Sequence, residues 1–191
     1  MLKEFKEKIC LMLNDWIFDQ DKMAEIILKE LKKHINLDEL DGSEVTFEFI
    51  DYLEPDELLY IESEEKGATE NGEILAVTIA DNPDVFKIVF VLDAMKRFIA
   101  SVTPFEARDR IKGIAKHEAF HVRQYNYMIK KCGMDAIGRF ALYSKQNHYD
   151  DNLLEEGALR YQYFDEQQDF SVFDRLIAPK TLAASKKNSP C

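Results

Sequence analysis

The segment from Thr103 to Gly133, TPFEARDRIKGIAKHEAFHVRQYNYMIKKCG, decides the architecture of this chain because it has the pattern of one long helix. Thr103 and Glu106 have the spacing of a capping box, and Pro104 suits the first helical position. Apolar residues then recur at helical spacing, at Ile111, Ala115, Val122, Tyr125 and Ile129. Gly133 is a suitable C-terminal cap in the left-handed αL conformation, so the predicted helix runs from about residue 104 to residue 131.

His117, Glu118 and His121 form an HExxH motif inside this predicted helix. Positions four residues apart lie on one face of a helix, so the two imidazoles could bind the same metal ion. Glu118 is rotated from His117 by about 100° around the helix axis, which would place its carboxylate beside a water held by the metal. Glu118 is therefore the candidate general base. The alternative is a chance match on a surface helix, with Glu118 and His121 as a polar pair.

Three strands are predicted before this helix, over residues 45–52, 73–80 and 85–91. The sequence Asp81-Asn82-Pro83-Asp84 is a turn cluster, so the last two strands should form a hairpin. Residues 66–72 are predicted to be a loop, and shorter helical segments are predicted over residues 93–101, 135–142, 153–167 and 172–177. The pattern indicates an α+β fold with a small, mainly antiparallel sheet.

The chain divides into three predicted parts. Residues 1–40 carry apolar positions at helical spacing and should form a helical N-terminal extension. Residues 41–182 should form the main domain, and residues 183–191 a flexible tail. The extension could cover a cleft, bind a partner or complete the core, and core completion is the role that we expect.

Composition and charge exclude several classes of function. The chain has 191 residues, of which 46% are hydrophobic, and a net charge of −11, which opposes a nucleic-acid partner. No apolar run approaches the roughly 18 residues of a membrane span. Cys10, Cys132 and Cys191 form no CxxC pair and suit free thiols, so a cytoplasmic location is expected. No feature of the sequence indicates an oligomeric state.

A catalytic zinc site needs a third protein ligand and one position that stays open. The stretch DDNLLEEGALRY, residues 150–161, offers Glu155 and Glu156 near the start of a predicted helix. Either glutamate could complete a His₂Glu site. If Asn152 caps this helix, Glu155 would lie at the third helical position and could be half of a capping box, which would leave Glu156 as the inward residue.

The HExxH helix and the later glutamate-bearing helix together resemble the gluzincin group of zinc metallopeptidases, the thermolysin-like zincins. The chain is also similar to small bacterial and phage-borne proteins with an HExxHxxQ helix, here ending at Gln124, and an ExxAxxY/F helix, here Glu155 to Tyr161. The resemblance covers residues 73–167. It implies a zincin-like domain with one Zn²⁺ ion, bound by His117, His121 and Glu155.

The same resemblance implies a zinc metallopeptidase with a peptide or protein substrate. Glu118 would take a proton from the zinc-held water as that water attacks the peptide carbonyl. The developing oxyanion needs a donor, and the candidates are Tyr143, His148, Tyr149 and Tyr161. An extended substrate would bind along the first arm of the hairpin, at Leu75, Ala76, Val77 and Thr78.

One feature departs from the gluzincin pattern. Thermolysin-like enzymes usually carry an acidic residue one turn after the ligand glutamate, where it orients a ligand histidine. This chain has Leu159 or Arg160 at that place. The sequence therefore leaves the orienting partners of the ligands unassigned.

Two other classes of function are compatible with the sequence. A zincin-fold module that binds a protein partner without catalysis could keep the same ligands, and an interaction protein without metal could carry HExxH by chance. A di-iron carboxylate protein would need a second Glu-x-x-His pair on a helical bundle, and the chain contains none.

Overall fold

The structure is a computed structural model that describes residues 19–53, 68–70, 73–146 and 153–177. It has an α+β fold in which a small mixed sheet packs against helices. The strands are β1 (Glu44–Ile50), β2 (Ala68–Glu70), β3 (Glu73–Asn82) and β4 (Val85–Val91). The helices are α1 (Gln20–His34), α2 (Leu92–Ile99), α3 (Pro104–Cys132), α4 (Asp135–Gln146), α5 (Leu153–Phe164) and α6 (Asp174–Ile177), with 3₁₀ turns at Leu37–Leu40 and Phe170–Phe173.

The sheet has the strand order β1-β4-β3-β2. β3 and β4 form the predicted antiparallel hairpin, and β2 is also antiparallel to β3, whereas β1 is parallel to β4. The prediction of a loop throughout residues 66–72 was wrong, because Ala68–Glu70 pair with β3. So short a strand is stabilised by its backbone bonds to a neighbour, and a three-residue segment has no periodicity of its own.

The observed bounds of the long helix α3 confirm the helix that was predicted from the capping signals at its two ends. The Thr103 hydroxyl accepts from the backbone N–H of Glu106, and the Glu106 carboxylate accepts from the backbone N–H of Thr103. At the other end, Gly133 is the C-cap with a φ of 71°, which favours glycine, but its ψ of −178° differs from the predicted left-handed helical conformation. Local sequence therefore fixes both ends of the helix that carries HExxH.

Helix α1 is part of the main core. Its buried residues Met23, Ile26, Ile27 and Leu31 belong to the same hydrophobic cluster as buried residues of α3 and of the sheet. This part of the predicted N-terminal extension therefore completes the core. Residues 1–18 and the predicted tail, residues 183–191, lie outside the described residues. Across the described ranges, no helix combines the length and apolar character that crossing a membrane requires.

Candidate metal centre

Helices α3 and α5 bring three potential ligands together in the protein interior. His117, His121 and Glu155 are 1%, 6% and 5% exposed, respectively. The Nε2 atoms of the two histidines are 3.0 Å apart. Oε2 of Glu155 lies 3.1 Å from Nε2 of His117, and its Oε1 lies 3.5 Å from Nε2 of His121. This buried group could hold a metal ion.

The hydrogen bonds around His121 show why a cation suits this group. The side-chain Nε2 of Gln124 donates to the carbonyl of Leu154, so its Oε1 accepts from Nδ1 of His121, at 2.7 Å. A neutral His121 therefore directs the lone pair of Nε2 toward His117 and Glu155. Facing lone pairs repel one another in a buried site unless a cation lies between them. Tetrahedral zinc holds its ligand atoms roughly 3.3 Å apart, close to the spacings described above.

Glu155, and not Glu156, faces the two histidines. Glu156 is exposed and forms an ion pair with Nη2 of Arg160, at 2.8 Å. The capping role considered for Glu155 depends on Asn152, which lies outside the described residues. The position of Glu155 in the first part of α5, with its side chain toward α3, makes it the third member of the group.

Glutamine carboxamides hold the outer nitrogens of both histidines. Gln124 accepts from His121 as described, and Oε1 of Gln162 lies 3.1 Å from Nδ1 of His117. Neither glutamine was predicted as a partner of the histidines, although both lie at helical spacing from a ligand. Gln124 follows His121 by one turn, and Gln162 follows Glu155 by two turns on the same face of α5. A side chain at Gly113 would crowd Gln162, because its Cβ would lie 3.0 Å from Nε2 of that residue.

Glu118 lies beside the ligand group, on the side of α3 that faces the sheet. Its carboxylate is buried, and the Thr78 hydroxyl on β3 lies 2.7 Å from Oε2 and 3.2 Å from the backbone carbonyl of Glu118. Within the described part of the chain, Oε1 of Glu118 has no hydrogen-bond partner. Burial raises the pKa of Glu118, against the opposing charges of His121 and His117. One carboxylate oxygen is thus fixed, and the other is available to a proton.

His121 and Glu155 form an ion pair when no metal is bound. Burial alone would lower the pKa of His121, but the negative charge of Glu155 outweighs it and raises that pKa to about 9. Burial likewise would raise the pKa of Glu155, but the positive charge of His121 holds it well below its usual range. The metal-free site therefore carries a proton on His121 at neutral pH.

We expect binding of a metal ion to release this proton, because only a neutral imidazole can bind the metal. Between about pH 6 and 8, below the raised pKa of His121, roughly one proton should leave per ion. The affinity for the metal ion should then rise about tenfold per pH unit and level off near the pKa of His121. Calorimetric titration in buffers of different ionisation enthalpy measures the proton count, and a heat independent of the buffer would contradict the expectation.

Of the four predicted oxyanion donors, the structure describes the helical position of two. Tyr143 lies in α4, whereas His148 and Tyr149 are outside the described residues. The Tyr161 hydroxyl lies 2.9 Å from Nδ1 of His34, and its ring stacks on Phe120. Because Phe120 is two residues after Glu118, it occupies nearly the opposite side of α3. In this structure Tyr161 joins α5 to α1 and does not face Glu118.

The predicted substrate strand, Leu75 to Thr78, lies within β3, and all four of its residues are buried. β2 pairs with β3 only as far as Ala76. From Val77 onward, no strand in the described ranges pairs with β3 on the side away from β4. Thr78 therefore lies on the unpaired part of this edge and also contacts Glu118.

Comparisons of the chain with protein-family models, with curated proteins and with solved structures gave no match. The residues of the site provide three convergent ligand atoms, an orienting carboxamide on each histidine and a buried carboxylate beside them.

Proposed function

We propose that this protein is a cytoplasmic zinc metallopeptidase of the zincin type that hydrolyses peptide bonds. His117, His121 and Glu155 would bind one Zn²⁺ ion, and Glu118 would act as the general base. The observation that carries the proposal is the Glu118 carboxylate, buried next to the ligand group, with Oε2 held by Thr78 and Oε1 without a partner in the described residues. A buried carboxylate oxygen without a partner costs stability, and a catalytic role is one reason for a protein to keep it.

A bound zinc ion would polarise the substrate carbonyl and lower the pKa of water. Glu118 would accept the proton of the attacking water at Oε1, because Oε2 is occupied by the Thr78 hydroxyl. Its burial, which raises the pKa of the carboxyl group, would help it to keep the proton and then pass it to the leaving amine. Gln124 and Gln162 would keep both imidazoles oriented during this exchange.

The substrate in this proposal is an extended peptide that pairs with the edge of β3 just beyond the buried Thr78, where Ile79 and Ala80 are partly exposed. Backbone groups of an open strand edge bind extended chains without requiring a particular side chain. Thr78 connects this edge to Glu118, so a peptide bound there would lie close to the general base. An unfolded protein is accordingly the first substrate to try.

The test is hydrolysis of an unfolded protein by the zinc-loaded chain. We expect cleavage that stops when a chelator removes the zinc and returns when zinc is added back. A chain that binds zinc stoichiometrically but cleaves no peptide would favour the non-catalytic binding module. A chain that takes up no zinc would favour an interaction protein with a chance HExxH.

Thr78→Val should lower kcat by about tenfold, because Glu118 loses the hydrogen bond that fixes its carboxylate. Thr78→Ser keeps the hydroxyl and should stay within a few-fold of the wild type. Both variants should retain zinc, because Thr78 contacts none of the three ligand side chains through a described hydrogen bond. Steady-state kinetics with parallel zinc analysis make the measurement. Equal losses of kcat in both variants would contradict the role given to the hydroxyl.

A further inference from the structure

We propose that Gln124 and Gln168 form a clamp. Their two carboxamides hold the side chains of His121 and Glu155 in the relative position that a shared metal ion requires, and thereby set the metal affinity of the site. Gln168 lies in the segment after α5, outside the HExxH helix and outside the Glu155 helix. The inference rests on the metal site of the proposed function but not on the hydrolytic reaction. Both glutamines are positioning residues, because they act through the ligands.

On the α3 side, the clamp orients an imidazole. Gln124 is fully buried, and its Oε1 accepts from Nδ1 of His121 at 2.7 Å. Its Nε2 has two hydrogens, and both are used. One is donated to the carbonyl of Leu154 at 3.0 Å, and the other to Oε1 of Gln168 at 2.7 Å. The Gln124 carboxamide therefore cannot rotate without breaking three hydrogen bonds.

On the α5 side, the clamp holds the backbone next to the ligand glutamate. Nε2 of Gln168 donates to the carbonyl of Leu153 at 2.8 Å, and Gln124 donates to the carbonyl of Leu154. These two carbonyls belong to the residues that immediately precede Glu155. The paired carboxamides thus fix the first turn of α5 relative to α3, and with it the distance between Glu155 and the histidines.

Gly157 provides the space in which Gln168 lies. A Cβ atom at this position would lie within 2.7 Å of Oε1, Cδ and Nε2 of Gln168. The backbone of Gly157 has no positive φ, so its helical conformation does not require glycine. Glycine is a poor helix former, and α5 accepts it one turn before Tyr161. We infer that this glycine is needed for the close approach of the Gln168 carboxamide.

Two substitutions test the clamp. Gln168→Ala removes the carboxamide, and Gly157→Ala displaces it with a Cβ atom. Each should raise the zinc Kd by about 10- to 100-fold, the usual effect of losing an orienting partner of a ligand. Gly157→Ala should keep the metal-free protein folded, because alanine favours the helix, and circular dichroism checks this. The matched control is Gln167→Ala, which removes an exposed neighbouring carboxamide and should leave the Kd unchanged.

The double variant separates positioning from a general structural effect. If Gly157→Ala acts by displacing Gln168, it should have no further effect on the Kd in the Gln168→Ala background. Cobalt(II) absorption provides a second readout, and both single variants should change the ligand-field spectrum in the same way. Zinc affinities are measured by competition with a chromogenic chelator.

Each outcome decides the proposal. Wild-type affinity in both single variants would overturn the clamp and leave the metal site in place. Additive losses in the double variant would also overturn the clamp. A wild-type chain that binds no zinc would overturn the clamp and the metal site together.

Discussion

Glu118→Gln should retain zinc and lose hydrolysis, with kcat reduced by at least about 10² to 10⁴-fold. Glutamine has nearly the shape of glutamate, and its carbonyl oxygen can still accept from the Thr78 hydroxyl. Its amide, however, cannot take a proton from the attacking water. The substitution also removes a buried carboxylate that has one unpartnered oxygen in the described structure, so folding stability should not fall.

The measurement is single-turnover hydrolysis of an unfolded protein by the zinc-loaded variant. Glu156→Gln is the matched control, because it makes the same chemical change on an exposed glutamate that pairs with Arg160. It should keep the wild-type rate. A Glu118→Gln variant with the wild-type rate would remove Glu118 from the mechanism. If the wild type binds zinc and is itself inactive, the non-catalytic binding module becomes the better explanation.

His117→Ala and Glu155→Ala should each abolish stoichiometric zinc binding. A site with two remaining protein ligands is incomplete, and the loss should exceed the 10- to 100-fold effect of an orienting partner. His117 is a stringent choice, because its Nε2 lies 3.0 Å from His121 and 3.1 Å from Glu155. His117→Ala therefore removes the side chain that lies closest to the other two ligands.

Elemental analysis of the purified variants measures this loss, with circular dichroism of the metal-free forms to confirm folding. Glu156→Ala is the control and should bind zinc like the wild type. Zinc lost in Glu156→Ala but kept in Glu155→Ala would contradict the position of the third ligand. A metal-free wild type that also fails to take up added zinc would support the interaction protein.

Several features of the fold were predictable because their causes lie within a few residues of one another. The capping box at Thr103 and Glu106 and the glycine at 133 determine both ends of α3. The turn cluster at residues 81–84 determines the hairpin, although β3 extends to Asn82. The spacing of His117 and His121 places both side chains on one face of a helix wherever that helix lies.

Other features depend on contacts between distant parts of the chain. The sequence allowed either Glu155 or Glu156 as the third ligand. Only the packing of α5 on α3 turns the side chain of Glu155 toward the histidines. β2 forms because β3 lies beside it, and β1 is parallel to β4 although they are far apart in sequence. Tyr161 is an oxyanion candidate by sequence, but its hydroxyl lies against His34.

The motif helix, the hairpin and the residue types of a His₂Glu group follow from the sequence alone. Tertiary structure alone decided which glutamate completes the group, which carboxamides orient it, and that Thr78 holds Glu118. The physical reason is that helix ends and turns are set by local backbone energetics, whereas hydrogen bonds such as Gln124 to Gln168 exist only after separate elements have packed together.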